Sequence, residues 1–281
     1  MIELNEKYST LGDDSRYYVV TGGRASGKSF SVNLMLVLLT YEANHTILFT
    51  RYTLTSAYVS IIPEFIEKIE MLDKFDDFHI TKDEIINIRS GSKIVFKGIK
   101  TSSGDQTANL KSITGVTTWV LDEAEELTDE ETFDKIDLTI RETKNQNRII
   151  LILNPTTKEH WLYQRFFEDK GIQEGSNTRK DNTTYIHTTY KDNLENLSKS
   201  FVKQIESIKI RRPLKYKHAI MGGWLDKAEG VIFKDWSIGE FKKTGVSVWG
   251  QDYGFSNDPS TLIETNIDTS NKRIYLKECF Y

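Results

Sequence analysis

Eight residues, Gly22-Gly23-Arg24-Ala25-Ser26-Gly27-Lys28-Ser29, carry the most specific chemistry in the chain. They follow an apolar run, Tyr17 to Val20, that reads as a strand, and they open an apolar segment that reads as a helix over 28–41. In that setting the pattern G-x-x-x-x-G-K-[ST] is a phosphate-binding loop, whereas a Gly-rich turn without a ligand would have no need of the strand before it and the helix after it. Glycines at 22, 23 and 27 are expected to take positive φ and curl the backbone N–H groups around phosphates, with the helix N-terminus adding a favourable dipole. Lys28 is expected to reach the β and γ phosphates and the Ser29 hydroxyl to bind Mg²⁺, so the implied ligand is a nucleoside triphosphate with its metal.

Hydrolysis of such a ligand needs a second metal-holding group and a base for water. Asp122-Glu123 ends the apolar run Thr118-Trp119-Val120-Leu121 and supplies both types. Asp122 is expected beside the Mg²⁺ and Glu123 one step farther, preparing water for in-line attack on the γ-phosphorus. Glu125 and Glu126 read as helix-start acids and no more. Three arginines are candidates for the cation that stabilises transition-state charge. Arg24 lies inside the loop, Arg141 on the helix after the acidic segment where it can reach a neighbouring subunit, and Arg51 just past the second strand; for the last two a surface salt bridge is the competing reading. Asn154 ends the apolar run Arg148 to Leu153, where a side-chain amide can sense the γ-phosphate, and Pro155 stiffens the turn that follows.

The elements that must hold these residues alternate. Strand 17–21 leads to helix 28–41, strand 46–50 to helix 55–71, and a hairpin over 84–97 is expected to extend the sheet. Residues 101–115 read as a loop, 118–121 and 148–153 as strands, 171–183 as a loop, and 184–188 as a further strand. A helical region spans 196–220 with a break at Pro213; separate strands start at Val246 and at Lys272. Residues 1–15 read as a polar lead-in. The fold class is therefore α/β, a phosphate-loop NTPase with a mainly parallel sheet sandwiched by helices and ligands at the carboxyl ends of the strands.

Composition narrows the partners. The net charge of −4 gives no global basic footprint, but ten acids against two bases lie between Asp122 and Glu142, and seven bases against one acid lie between Lys199 and Lys217. A DNA-facing surface and an ordinary solvated helix face both explain such polarity. The single cysteine, Cys279, excludes a disulfide framework and a Cys-based zinc site. The apolar run Leu34–Leu39 falls far short of the roughly twenty residues a bilayer needs, so a soluble, intracellular protein without a membrane role is expected.

The order GGRASGKS, FTRY, TTWVLDEAEEL, LILNPTTKEHWLYQRFF, TTYKDN, GGWLDKAEGVIFKDW and WGQDYGFSNDPSTLI resembles the large terminase subunit of tailed bacteriophages, from Arg16 to Ile263. The resemblance implies a motor that packages double-stranded DNA: an ATPase core over 1–188, a small lid and linker over 189–240, and the start of an RNase H-like nuclease domain over 241–281. It implies ATP with Mg²⁺ on Lys28, Ser29 and Asp122, catalysis by Glu123, coupling of hydrolysis to movement through Asn154, Pro155 and Thr156, and a lid at 189–225 that shifts between nucleotide states. It also implies a small terminase subunit and a portal as partners, a ring on the portal but a monomer in isolation, and work in the host cytoplasm.

Asp252 matches the first metal-binding acid of that nuclease. A two-metal nuclease needs at least three carboxylates on ions about 4 Å apart. Here only Asp258, Glu264, Asp268 and Glu278 follow, and the family's later acids lie beyond Tyr281, so no competent nuclease and no divalent metal at that site are expected from these residues alone. Two other readings compete: a helicase-like or switch ATPase outside packaging, and a DNA-binding assembly module with an inactive nucleotide site.

Overall fold

The computed structural model describes residues 4–54, 57–101, 104–105, 113–226, 237–254 and 260–280. The chain divides into two compact units, Met1–Glu229 and Gly230–Tyr281. The first is built on a ten-stranded sheet with the order β3-β4-β5-β2-β7-β8-β1-β10-β9, and β6 (Gly104–Asp105) paired to β5. Its six central strands are β5 (Lys93–Thr101), β2 (Thr46–Thr53), β7 (Val116–Asp122), β8 (Arg148–Leu153), β1 (Tyr17–Gly22) and β10 (Thr183–Thr188), all parallel. The edges are antiparallel: β3 (Phe78–Ile80) and β4 (Glu84–Asn87) at one side, β9 (Thr178–Lys180) at the other.

Strand period two divides the apolar residues between two faces. Tyr18 and Val20 of β1, Phe49 of β2 and Ile150 and Ile152 of β8 join α1 (Lys28–Leu39) and α3 (Ile62–Met71) on one face. Val19, Trp119, Leu121, Leu151 and Tyr185 join α4 (Glu130–Asp137) and the turn from α5 (Trp161–Tyr163) to Phe167 on the other. Each large apolar side chain buried this way contributes about 1.5–3 kcal/mol, and burial on both faces is what a parallel sheet requires. α1 is buried almost all round, with Lys28, Ser31, Val32, Asn33, Leu34, Leu36, Val37 and Leu39 all withdrawn from solvent.

The expected alternation and parallel sheet hold, with local differences. Helix 55–71 is divided into α2 (Ala57–Ser60) and α3, where Pro63 sits in the first turn. Most of the expected loop 101–115 lies outside the described residues. The lead-in is not a passive segment: Glu6–Gly12 forms a 3-10 helix that buries Tyr8 and Leu11, an i, i+3 pair easily passed over in a polar stretch. After β10 the chain forms a 3-10 turn (Tyr190–Asn196), α6 (Lys199–Arg211), α7 (Pro213–Lys215) and a π-turn (Tyr216–Ile220), which bury Tyr190, Ile205 and Ile220 together against Ala25 of the phosphate loop.

The second unit is a three-stranded antiparallel sheet, β11 (Ser247–Asp252), β12 (Thr261–Asp268) and β13 (Arg273–Phe280). The strands expected from Val246 and from Lys272 correspond to the outer two, β11 and β13. β12 is concealed because its buried face is polar, made of Glu264, Asn266 and Asp268. Among the described residues no helix is long and apolar enough to cross a membrane.

Candidate active site

The phosphate loop joins β1 to α1, and its three glycines are needed for different reasons. Gly27 caps α1 at φ 80°, in the left-handed region. A Cβ on Gly22 would lie 2.1 Å from the Thr188 carbonyl oxygen, and one on Gly23 would lie 1.8 Å from that of Ile220. Positive φ is thus not what Gly23 supplies; close approach of backbone to backbone is. The loop is tied down by Arg24 N donating to the Ala219 carbonyl at 2.9 Å and Asn193 Nδ2 donating to the Ala25 carbonyl at 3.0 Å. The Arg24 side chain itself is exposed.

Lys28 is 8% exposed. Its Nζ donates to the carbonyls of Gly22 and Gly23, both at 3.0 Å, and to Asn154 Oδ1 at 2.9 Å, and lies 3.3 Å from Ser26 Oγ. Burial lowers its pKa to about 8, against the fields of Glu125 and Asp122.

Asp122 and Glu123 stand at the end of β7, and Arg51, its register partner on β2, joins them. The guanidinium bonds Asp122 Oδ2, with Nε at 2.8 Å and Nη2 at 2.7 Å, and its Nε lies 3.7 Å from Glu123 Oε2. Burial opposes the charge on Arg51, yet Asp122 and then Glu123 hold its pKa above the ordinary value. Glu123 adopts φ 55°, a left-handed conformation that is uncommon away from glycine, and leads a 3-10 turn over Ala124–Glu126. Burial raises its carboxyl pKa; Arg51 opposes that and Asp122 adds to it.

β8 lies between β1 and β7, so Asn154, just past its end, reaches both neighbours. Its backbone N and its Nδ2 donate to Glu125 Oε1 at 3.2 and 3.3 Å. Glu125 is therefore not a mere helix-start acid: its carboxylate belongs to the site, and burial raises its pKa. The segment after Asn154 is tied to the stretch beyond α7, with Leu225 N donating to the Thr156 carbonyl and Lys158 N to that of Leu225, both at 2.8 Å.

Two expected residues lie elsewhere. Arg141 is exposed and past the end of α4, not on it, in the connection that enters β8 from its far end. The six residues of β8 span about 20 Å, which separates Arg141 from the site of its own chain. Asp252 is exposed at the end of β11. Register pairs it with Thr261 while Glu264 pairs with Trp249, three positions away, so the two acids point to opposite faces of that sheet. Asp258 lies outside the described residues, and among the described residues no group of three or more His, Cys, Asp or Glu could hold a metal ion.

Lys28, Ser29, Asp122, Glu123, Glu125 and Asn154 line one cleft of about 100 Å³. An ammonium and a hydroxyl at the head of α1, with an aspartate at the end of β7, fit a triphosphate and its Mg²⁺, a hard cation that takes oxygen ligands. A larger cleft of about 560 Å³ lies against Ser26, Gly27, Phe30 and Ser31, walled by Tyr8 and Asn193.

A family description, phage terminase large subunit, matches residues 14–223. The terminase large subunit of Bacillus phage SPP1 is 28% identical over 277 residues, 92% of this chain and 62% of that protein. The PBSX phage terminase large subunit of Bacillus subtilis (strain 168) is 25% identical over 287 residues, 95% of this chain and 65% of that one. The chain thus spans less than two thirds of the length of these relatives. Two solved structures share its fold. The large terminase of a thermophilic bacteriophage in complex with ADP aligns at TM-score 0.61 and 14% identity over 98% of this chain and 69% of that one. The large terminase ATPase domain of Thermus phage P74-26 aligns at TM-score 0.56 and 16% identity over 78% and 92%.

Proposed function

Because this chain belongs to the phage terminase large subunit family, we propose that its first unit is an ATP-hydrolysing motor that drives double-stranded DNA into a procapsid. The observation that carries the reading is the convergence of Lys28, Asp122, Glu123 and Asn154 at the carboxyl ends of three adjacent parallel strands, where α/β sheets bind ligands. A fold relative solved with ADP supports the choice of nucleotide.

In this reading the nucleoside enters the cleft beside Phe30 and Ser31, and the phosphates lie along the loop toward Lys28. Ser29 and Asp122 would hold Mg²⁺, which would neutralise charge on the phosphate oxygens. Glu123 takes a proton from water as its oxygen bonds to the γ-phosphorus, and the bond to the β–γ bridging oxygen breaks. Arg24, from its exposed position on the loop, contributes positive charge in cis, and Arg141 reaches a neighbouring subunit's nucleotide.

The bonds from Thr156 and Lys158 to Leu225 support coupling through Asn154, Pro155 and Thr156 to the segment 189–225 acting as a lid. The second unit, with Asp252, is the start of an RNase H-like nuclease domain. Partners in this reading are DNA, a small terminase subunit and a portal on which copies form a ring, in the host cytoplasm.

The test is ATP hydrolysis by the wild type, Lys28→Ala and Glu123→Gln, with and without linear duplex DNA. Losses of about 10²-fold or more in both variants are expected. Hydrolysis that is absent, or indifferent to both substitutions, ends the reading.

A further inference from the structure

We propose that Glu125 is a positioning residue that fixes which end of the Asn154 amide faces the phosphate loop. The proposal rests on the ATPase reading and deepens it, since it names a group that acts through Asn154 and not on the nucleotide.

An asparagine amide has two ends of opposite character, one accepting and one donating. Here each end meets a group that can satisfy it in only one way. Lys28 Nζ, a donor without acceptor capacity, lies 2.9 Å from Asn154 Oδ1. Glu125 Oε1, an acceptor when ionised, lies 3.3 Å from Nδ2 and 3.2 Å from the Asn154 backbone N. A flipped amide would set oxygen against carboxylate and NH₂ against ammonium, so the two charges select one orientation. That orientation uses one Nδ2–H and leaves the second for a phosphate oxygen.

Glu125 is itself held in place. Its carbonyl accepts a bond from His160 Nε2 at 3.1 Å, and the turn that carries it is closed by Glu126 N donating to the Glu123 carbonyl at 2.9 Å. Among the described residues its carboxylate takes hydrogen bonds from Asn154 through Oε1, and Oε2 is buried without a partner, so the contact with Asn154 is what the side chain makes.

The experiment uses the full chain as wild type, Glu125→Ala, Glu125→Gln, Asn154→Ala and the Glu125→Ala/Asn154→Ala double variant, read by kcat, KM and equilibrium binding of a fluorescent ATP analogue. Glu125→Ala is expected to lower kcat about tenfold or more while binding changes less than about threefold, the mark of an interaction used in the transition state. Gln still offers an amide oxygen to Nδ2 and is expected to restore most of kcat. In the double variant, Glu125→Ala is expected to add nothing to the loss from Asn154→Ala. Independent, multiplying losses, or a Gln variant no better than Asn154→Ala, overturn the proposal alone, and the Gln comparison stands even if Glu125→Ala does not fold. Absence of hydrolysis in the wild type overturns the ATPase reading and this proposal with it.

Discussion

Arg51 and Asp122 meet through a single atom: Nε at 2.8 Å and Nη2 at 2.7 Å both point to Oδ2 of the aspartate, across the β2–β7 pairing. The Asp122 side chain is 5% exposed and the Arg51 side chain 19%, so the pair is largely out of water. Arg51→Ala leaves that carboxylate without its cation, and breaking a buried pair from one side costs about 3 kcal/mol. Urea unfolding should report a loss of that order. Arg51→Lys should recover only part, because an ammonium lacks the planar fork that reaches Asp122 and Glu123 together.

The pH dependence of kcat/KM should be a bell narrowed from both sides. Glu123 must be ionised to take a proton, and its pKa is raised above 4.5 by burial, so activity falls with decreasing pH sooner than an ordinary glutamate would dictate. Lys28 must be charged to hold phosphate, and its pKa is lowered to about 8, so activity falls again as pH rises through that value. The stability sign is opposite. With the folded pKa below the ordinary 10.5, the buried ammonium opposes folding fully below about pH 8, and that cost fades as pH approaches 10.5. The stability gained by Lys28→Met should therefore shrink over that interval.

Gly23→Ala puts a methyl group 1.8 Å from the Ile220 carbonyl oxygen, where only backbone movement can make room. We expect a loss of about 2 kcal/mol or more together with weakened nucleotide binding, since the phosphate loop must part from the 219–223 turn. Gly12→Ala, with nothing within 4 Å of its added Cβ, is the control and should change stability by about 0.5 kcal/mol or less. Thermal melts with and without ATP separate the two.

Arg141→Ala should leave the isolated chain unchanged, within about 0.5 kcal/mol in stability and with unaltered nucleotide affinity, because its side chain is exposed and beyond reach of its own site. Hydrolysis should fall only where copies assemble. A loss in the dilute, monomeric protein would assign Arg141 a role within its own subunit.

What sequence reveals here is what depends on near neighbours along the chain. The phosphate loop, Asp122-Glu123 and Asn154 are each legible because a strand end and a few following residues define them. Partners set by tertiary folding are not. Arg51 reads equally well as a surface salt bridge until β2 and β7 lie side by side, and Glu125 reads as a helix-start acid until β8 brings Asn154 against it. Tyr8 gives no hint that its hydroxyl reaches Thr188 at 2.7 Å, 180 residues away. β12 escapes notice for a different reason, since a strand that buries Glu264, Asn266 and Asp268 lacks the apolar alternation by which strands are recognised.

The burial of α1 on nearly every side has a mechanical consequence. A rod clamped along its length cannot tilt or slide when the ligand at its tip changes, so it serves as a fixed post. A displacement is then left to the backbone on the other side, where Gly22 and Gly23 press on Ile220 and Gly222 and where Thr156 is bonded to Leu225. A change at the pocket would thereby be handed to the segment beyond α7, and its extent is limited by how far that backbone contact can part.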